Sequence, residues 1–222
     1  MRQVLRRLGW RVWSDWPQEV YQQQSYQQRL WIVQEHFAKC LDNVPCGPVR
    51  VLSLCAGDGR DVIGVLSSHP RRTDVTGWLV ESSRQSIAIG ACHAASAGLE
   101  RTVNFLCGDA TLYATYKDIA PADIVLVCGV WGHVAADQRA LLVAGIASLC
   151  KSDGVVIWTR GLGPNMNRLQ EIQSHFAGLD WDKVRVSNTP DQRWAVATYR
   201  YSGPTHQLLK SGRLFRFQRS AG

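Results

Sequence analysis

Three segments, "VRVLSL" (49–54), "DIVLVC" (123–128) and "GVVIWT" (154–159), are nearly unbroken apolar runs with helical segments between them. This pattern constrains the fold more than any other feature of the chain. A strand with one face in water alternates polar and apolar residues, whereas a strand that is apolar throughout is covered on both faces, as in a parallel sheet flanked by helices. The pattern predicts strands over 49–54, 75–80, 102–107, 123–128, 154–159, 183–188 and 194–201. Helices are expected over 59–67, 83–98, 136–150 and 166–178. Such alternation implies an α/β fold: a doubly wound, seven-stranded, mostly parallel sheet with right-handed crossovers. Only "NTPDQR" separates the last two strands, too short for a crossover, so these should close the sheet as a C-terminal antiparallel hairpin.

Ahead of this core, residues 18–41 read as a helix, with Tyr21, Ser25, Leu30, Val33 and Phe37 at helical spacing. The breaker "DNVPCGP" (42–48) follows, which gives an N-terminal helical lid or appendage over 1–46 and a core domain over 47–222. Trp10, Trp13, Trp16, Tyr21 and Trp31 fall in the lid and are expected either to pack it onto the core or to box a cation. No stretch approaches the roughly 18–20 apolar residues of a membrane span. The N-terminal "MRQVLRRLGWRVW" is interrupted by arginines and lacks the small-residue cleavage site of a signal peptide. Seven cysteines, an odd number with no CxxC pair, indicate neither a disulfide framework nor a zinc site, and a cytoplasmic location is expected. The net charge of +7 comes mostly from the two ends of the chain, with no basic stripe interleaved with aromatics. A solvated basic surface, or attraction for a small acidic substrate, fits it better than a nucleic-acid track.

In an open α/β sheet, ligands bind beyond the carboxyl ends of the strands. Here those ends carry "CAGDGRD" (55–61), then Glu81 and Ser82, then Gly108, Asp109 and Ala110, then "CGVWGH" (128–133), then "RGLG" (160–163). Glycines, carboxylates and aromatics at successive ends suit a nucleoside pocket. Glu81, 24 residues beyond Gly57, can accept hydrogen bonds from both hydroxyls of a ribose. A helix cap is its other reading, and an Asx-turn the other reading of Asp109. There is no GxxxxGK followed by Ser or Thr, and Val62 stands where a dinucleotide fingerprint needs its third glycine. Asp58 and Asp61 in the first turn would repel a pyrophosphate and suit a ligand with an ammonium group and a positive sulfur.

The order of these motifs resembles class I S-adenosylmethionine (SAM)-dependent methyltransferases over essentially residues 47–201. It is most similar to a bacterial subgroup with a "CAGDGRD" first motif, a "PADIVLVCGVWGH"-type fourth motif and an N-terminal helix bearing tyrosine and arginine. Against the family's general first motif, Ser53 stands for the acidic residue and Cys55 for the first glycine, while Gly57 and Gly59 match. The resemblance implies that the backbone of Cys55, Ala56 and Gly57 lies along the methionine moiety of SAM. It further implies that Glu81 holds the ribose, Asp109 the adenine amino group and the Ala110 amide a ring nitrogen, with the carbonyl of Cys128 or Gly129 at the α-ammonium. Arg29 and Tyr21 would close over the methionine carboxylate or the substrate.

After strand four, Trp131 is expected where acceptor and methyl group meet. His133 is the candidate general base, with a capping or loop histidine as its alternative. Arg160, at the end of strand five, could grip a substrate carboxylate or form a surface ion pair. There is no insertion for a large acceptor, and the Asn/Asp-Pro-Pro-aromatic motif of base-amino methyltransferases is absent, so a nucleic-acid partner is not expected. The expected function is methyl transfer to a small molecule in biosynthesis, with S-adenosylhomocysteine as product. Two alternatives stay open. One is a SAM cyclase or lyase releasing methylthioadenosine and a cyclic amino acid such as azetidine-2-carboxylate; the other is a non-catalytic SAM-binding module.

Overall fold

The computed structural model describes residues 23–163, 167–177 and 179–218. Trp10, Trp13, Trp16 and Tyr21 lie outside them. In chain order the elements are α1 (Gln24–Asn43), β1 (Val49–Leu54), α2 (Arg60–Leu66), β2 (Val75–Glu81), α3 (Arg84–Ser96), β3 (Val103–Cys107), β4 (Ala122–Val127), α4 (Arg139–Leu149), β5 (Cys150–Gly161), α5 (Asn167–Phe176), β6 (Trp181–Asn188) and β7 (Trp194–Tyr201). They form one seven-stranded sheet in the order β3-β2-β1-β4-β5-β7-β6. The first five strands are parallel, and β7 runs antiparallel to both β5 and β6. The expected C-terminal hairpin is therefore present, inserted with β7 against β5.

The side chains of the apolar strands divide by period two between two cores. Ile124, Leu126, Val155 and Ile157 face one side, with Phe37 and Leu41 of α1 and Val62 and Leu66 of α2. Val125, Val127, Val156 and Trp158 face the other, with Leu142, Val143 and Ile146 of α4 and Phe176 of α5. β5 starts at Cys150, four residues ahead of expectation, because Cys150 pairs with Ala122 before a register irregularity. Residues 136–138 form a 3-10 turn, which delays α4 to Arg139.

α1 lies directly on the sheet. Its buried face includes Arg29, Ile32, Val33, His36, Phe37 and Leu41. His36 on this face is satisfied: its ring nitrogens lie 2.7 Å from Thr198 Oγ1 and 2.9 Å from Ser187 Oγ. Burial, and then the nearby Arg185 cation, push the His36 pKa down to about 4. The folded state thus holds a neutral imidazole, while the unfolded chain takes up a proton near pH 6.5. Stability from this residue is complete above about pH 6.5 and is lost as pH falls toward 4, by about 3 kcal/mol in all. Urea midpoints at pH 7 and pH 4.5 test this. The wild type should lose clearly more stability than His36→Gln over that interval, and equal losses would show that His36 does not contribute. Among the described residues no helix is long and apolar enough to cross a membrane.

Candidate functional site

The strand order reverses between β1 and β4, so the loops leaving these two strands part and open a crevice. A cleft of about 1160 Å³ lies there, lined by the ends of β1, β2, β4 and β5, the loop after β3, and residues of α1, α4 and α5. Its lining includes all the strand-end residues singled out from the sequence except Gly59, Trp131, Leu162 and Gly163.

At the β1 end the turn Cys55–Gly59 does two separate things. Gly57 has φ +59° and nothing within 4 Å of the place a Cβ would occupy, so it keeps room beside the backbone. Gly59 (φ +73°) faces the other way, where a Cβ would come within 2.5 Å of Leu79 Cδ2. Gly59 is thus required by packing, and Gly57 alone leaves open space. Cys55 holds a left-handed φ of 52°, a conformation that costs a non-glycine residue roughly 1 kcal/mol. It preserves the backbone path at the position where the resembled motif has glycine.

Glu81 is buried at the end of β2, and its carboxylate is fixed by backbone donors. Gly57 N donates to Oε2 at 2.8 Å; Ser82 N and Ser83 N donate to Oε1, each at 2.8 Å. The cap reading is resolved by these contacts: Ser83 Oγ caps α3 through Ser86 N, and Glu81 organises the turn beside the cleft. An ionised carboxylate offers about four lone-pair sites; backbone N–H groups use three, and the long contact from Ser82 Oγ, 3.3 Å from Oε1, is the one a ligand hydroxyl can replace.

The two first-turn aspartates differ in surroundings. Asp58 pairs with Arg60, whose Nε donates to Oδ1 at 2.8 Å and Oδ2 at 3.1 Å. Asp61 faces Cys128 and the positive field of Arg29; burial and then repulsion from Asp58 hold its pKa above the ordinary aspartate value. Arg29 is buried, its guanidinium 4.4 Å from the Tyr26 ring centroid and 5.4 Å from that of Trp194. Arg29 Nη1 donates to Thr159 Oγ1 at 3.2 Å, and the same hydroxyl accepts from Gly129 N at 2.8 Å. Thr159 thereby ties α1 and the β4 loop to the end of β5, a role the sequence reading missed. Asp109 combines two environments. Oδ1 accepts from Thr111 N at 2.9 Å and Thr111 Oγ1 at 2.7 Å, as in an Asx-turn, while Oδ2 lies 3.2 Å from Arg213 Nη1. Tyr116 Oη donates to the Ala110 carbonyl at 2.7 Å, which fixes that residue against the core.

Trp131 is not in the cleft. The 3-10 turn Trp131–His133 directs it into the core, where its exposure is 0% and it packs against Trp158 and Phe176 with centroids 5.9 and 6.0 Å away. A large apolar ring with a buried neighbouring aromatic cluster gains more from that core than from a wet cleft. Gly132 and His133, next in the turn, line the cleft instead. Arg160 also lines it and is buried. Arg139, Arg168 and Glu171 share that wall and were not anticipated. Their signal was available, since Arg139 follows the β4 loop and Arg168 opens the helix after β5.

No curated protein matches the chain in sequence. Among solved structures, magnesium protoporphyrin IX methyltransferase from Synechocystis, crystallised with bound SAM, superposes with a TM-score of 0.62 at 12% identity, over 90% of this chain and 91% of that one. An O-methyltransferase family 2 protein from Planctomyces limnophilus in complex with apigenin gives 0.58 at 20% identity, over 79% and 59%. The 4+2 cyclase SpnF gives 0.56 at 16% identity, over 83% and 84%. These likenesses establish the fold. The profile of a family described as "putative methyltransferase" matches residues 19–200, from the helix over the cleft through the hairpin. A match across that whole span, on a Rossmann-like methyltransferase fold whose switch-point cleft is intact, shows that the chain belongs to this putative methyltransferase family.

Proposed function

We propose that the protein is a SAM-dependent methyltransferase acting on a small molecule. The observation that carries this reading is the Glu81 carboxylate, pinned by three backbone N–H groups beside the open space at Gly57. That pair fits a nucleoside with a free ribose hydroxyl, and the carboxylates Asp61 and Asp109, which line the same cleft, fit a cationic ligand. Glu81 would accept from a ribose hydroxyl, and the backbone of Cys55–Gly57 would run along the methionine portion. Arg213 already faces Asp109, so the adenine amino group would share that carboxylate with it.

When bound, SAM supplies a methyl group on positive sulfur that is open to in-line displacement. The chain's own contribution is placement and exclusion of water. Tyr26, Arg29 and Trp194 form one wall of the cleft, and Phe217 and Gln218 another. Gln218 N donates to the His133 carbonyl at 2.7 Å, so the C-terminal segment is laced to the loop that carries the imidazole. His133 is assigned as the acceptor of the proton released when a hydroxyl or amine is alkylated.

Incubation of the purified protein with SAM, alone and with pooled small metabolites, tests the reaction class by mass spectrometry. S-adenosylhomocysteine that forms only when metabolites are added supports methyl transfer. Methylthioadenosine from SAM alone would replace it with intramolecular chemistry. Tight SAM binding with no product in either arm would leave a sensor.

A further inference from the structure

The far wall of the cleft carries an unusual concentration of positive charge. Arg139, Arg160 and Arg168 line it together, with Glu171 as the accompanying carboxylate. Arg139 Nη1 is paired with Glu171 Oε1. Arg160 is 8% exposed, and among the described residues its guanidinium has no hydrogen-bond partner; the Nε atoms of both Arg139 and Arg160 are buried and unsatisfied. Burying a cation without hydrogen-bond partners is costly, and a bound ligand or ion is one arrangement that completes such a group.

The backbone makes space for this arrangement. A Cβ on Gly132 would lie 3.1 Å from Arg160 Nη1, and one on Gly163 would lie 2.7 Å from Arg168 Nη1. Both guanidiniums thus rest over glycines in the loops after β4 and β5. Burial, then repulsion from Arg139 and Arg168, pulls the Arg160 pKa below the ordinary arginine value against the attraction of Glu171. An anion bound among the three would relieve that repulsion.

The position excludes the nucleoside end of the cleft. Glu81 ends β2 and Arg160 is at the end of β5, three strand spacings away in the sheet order, about 14 Å. Glu81 thus stands at one end of the cleft and Arg139, Arg160 and Arg168, with Glu171, at the other, and Gly132, the neighbour of His133 in the chain, lies against Arg160.

We infer that Arg160, Arg139 and Arg168 form an acceptor site for a small molecule bearing a carboxylate or phosphate group, which they grip while its nucleophile faces the cleft interior. Guanidinium forks match both groups, and buried arginines favour planar, bidentate recognition. The inference deepens the methyl-transfer reading and rests on it.

Calorimetric titrations of the protein saturated with S-adenosylhomocysteine, using benzoate, phenyl phosphate and the neutral benzamide, test it. Benzoate or phenyl phosphate should bind at least tenfold more tightly than benzamide, and the tighter of the two identifies the anionic group. Arg160→Gln should weaken that anion about tenfold and Arg168→Gln by about threefold, with S-adenosylhomocysteine affinity unchanged within twofold. Arg168 is exposed, so its variant keeps the test valid if the Arg160 variant folds poorly. Anions that bind no better than benzamide, or that ignore both substitutions, would overturn the inference. So would an Arg160→Gln protein that loses S-adenosylhomocysteine but keeps the anion, since the arginines would then serve the cofactor's own carboxylate. Failure of the wild type to bind S-adenosylhomocysteine at all would instead refute the methyl-donor reading.

Discussion

Glu81→Ala is expected to weaken SAM binding about a hundredfold, read by calorimetry with the purified variant. A hydroxyl-to-carboxylate hydrogen bond, contributing roughly 1.5–3 kcal/mol, accounts for most of that loss. The substitution also removes the acceptor shared by Gly57 N, Ser82 N and Ser83 N, so the turn that shapes the cleft loses its anchor. Glu81→Gln should fare almost as badly. Both carboxylate oxygens accept from N–H groups, and whichever position the amide nitrogen took would set donor against donor. Affinity within threefold of wild type for the alanine variant would remove Glu81 from the binding site.

Trp131→Ala should destabilise the fold by about 4 kcal/mol and lower the melting temperature by about 10 °C. The ring is fully buried among Trp158, Phe176 and their neighbours, with 0% exposure, and its removal leaves a cavity that a stacked aromatic cluster cannot easily close. Trp131→Phe should cost less than half as much. The indole Nε1 has no hydrogen-bond partner, so the contribution to be kept is apolar volume. SAM affinity of the folded alanine variant, measured below its melting transition, should stay within threefold of wild type. A normal melting temperature with lost affinity would return Trp131 to the cleft.

These two residues also mark what can be read from the chain before folding. Glu81 was legible because a strand end fixes where a side chain emerges, and "VTGWLVE" ends at the carboxylate with the expected register beside β1. β1 and β7 were placed to the residue, since apolar runs bounded by turn residues leave little freedom. Trp131 was placed correctly in the chain and wrongly in direction, because a three-residue 3-10 turn sends adjacent side chains to opposite sides and has no periodic signal. The tie of Asp109 to Arg213, 104 residues away, and of Arg29 to Thr159, 130 residues away, depended on which segments meet over the sheet. Composition and spacing do not specify such contacts. Arg139 and Arg168 belong to the same class: each stands near a strand end in sequence, but only the packing of α4 and α5 brings both guanidiniums onto one wall.

On this reading the switch-point cleft takes a cationic nucleoside amino acid and not a dinucleotide. Parallel calorimetric titrations of the wild-type protein with SAM and with NAD test it most directly. One SAM per chain should bind saturably and be displaced by S-adenosylhomocysteine, while NAD should give no measurable heat. Saturable NAD binding that SAM cannot displace, or no SAM binding at all, would contradict it.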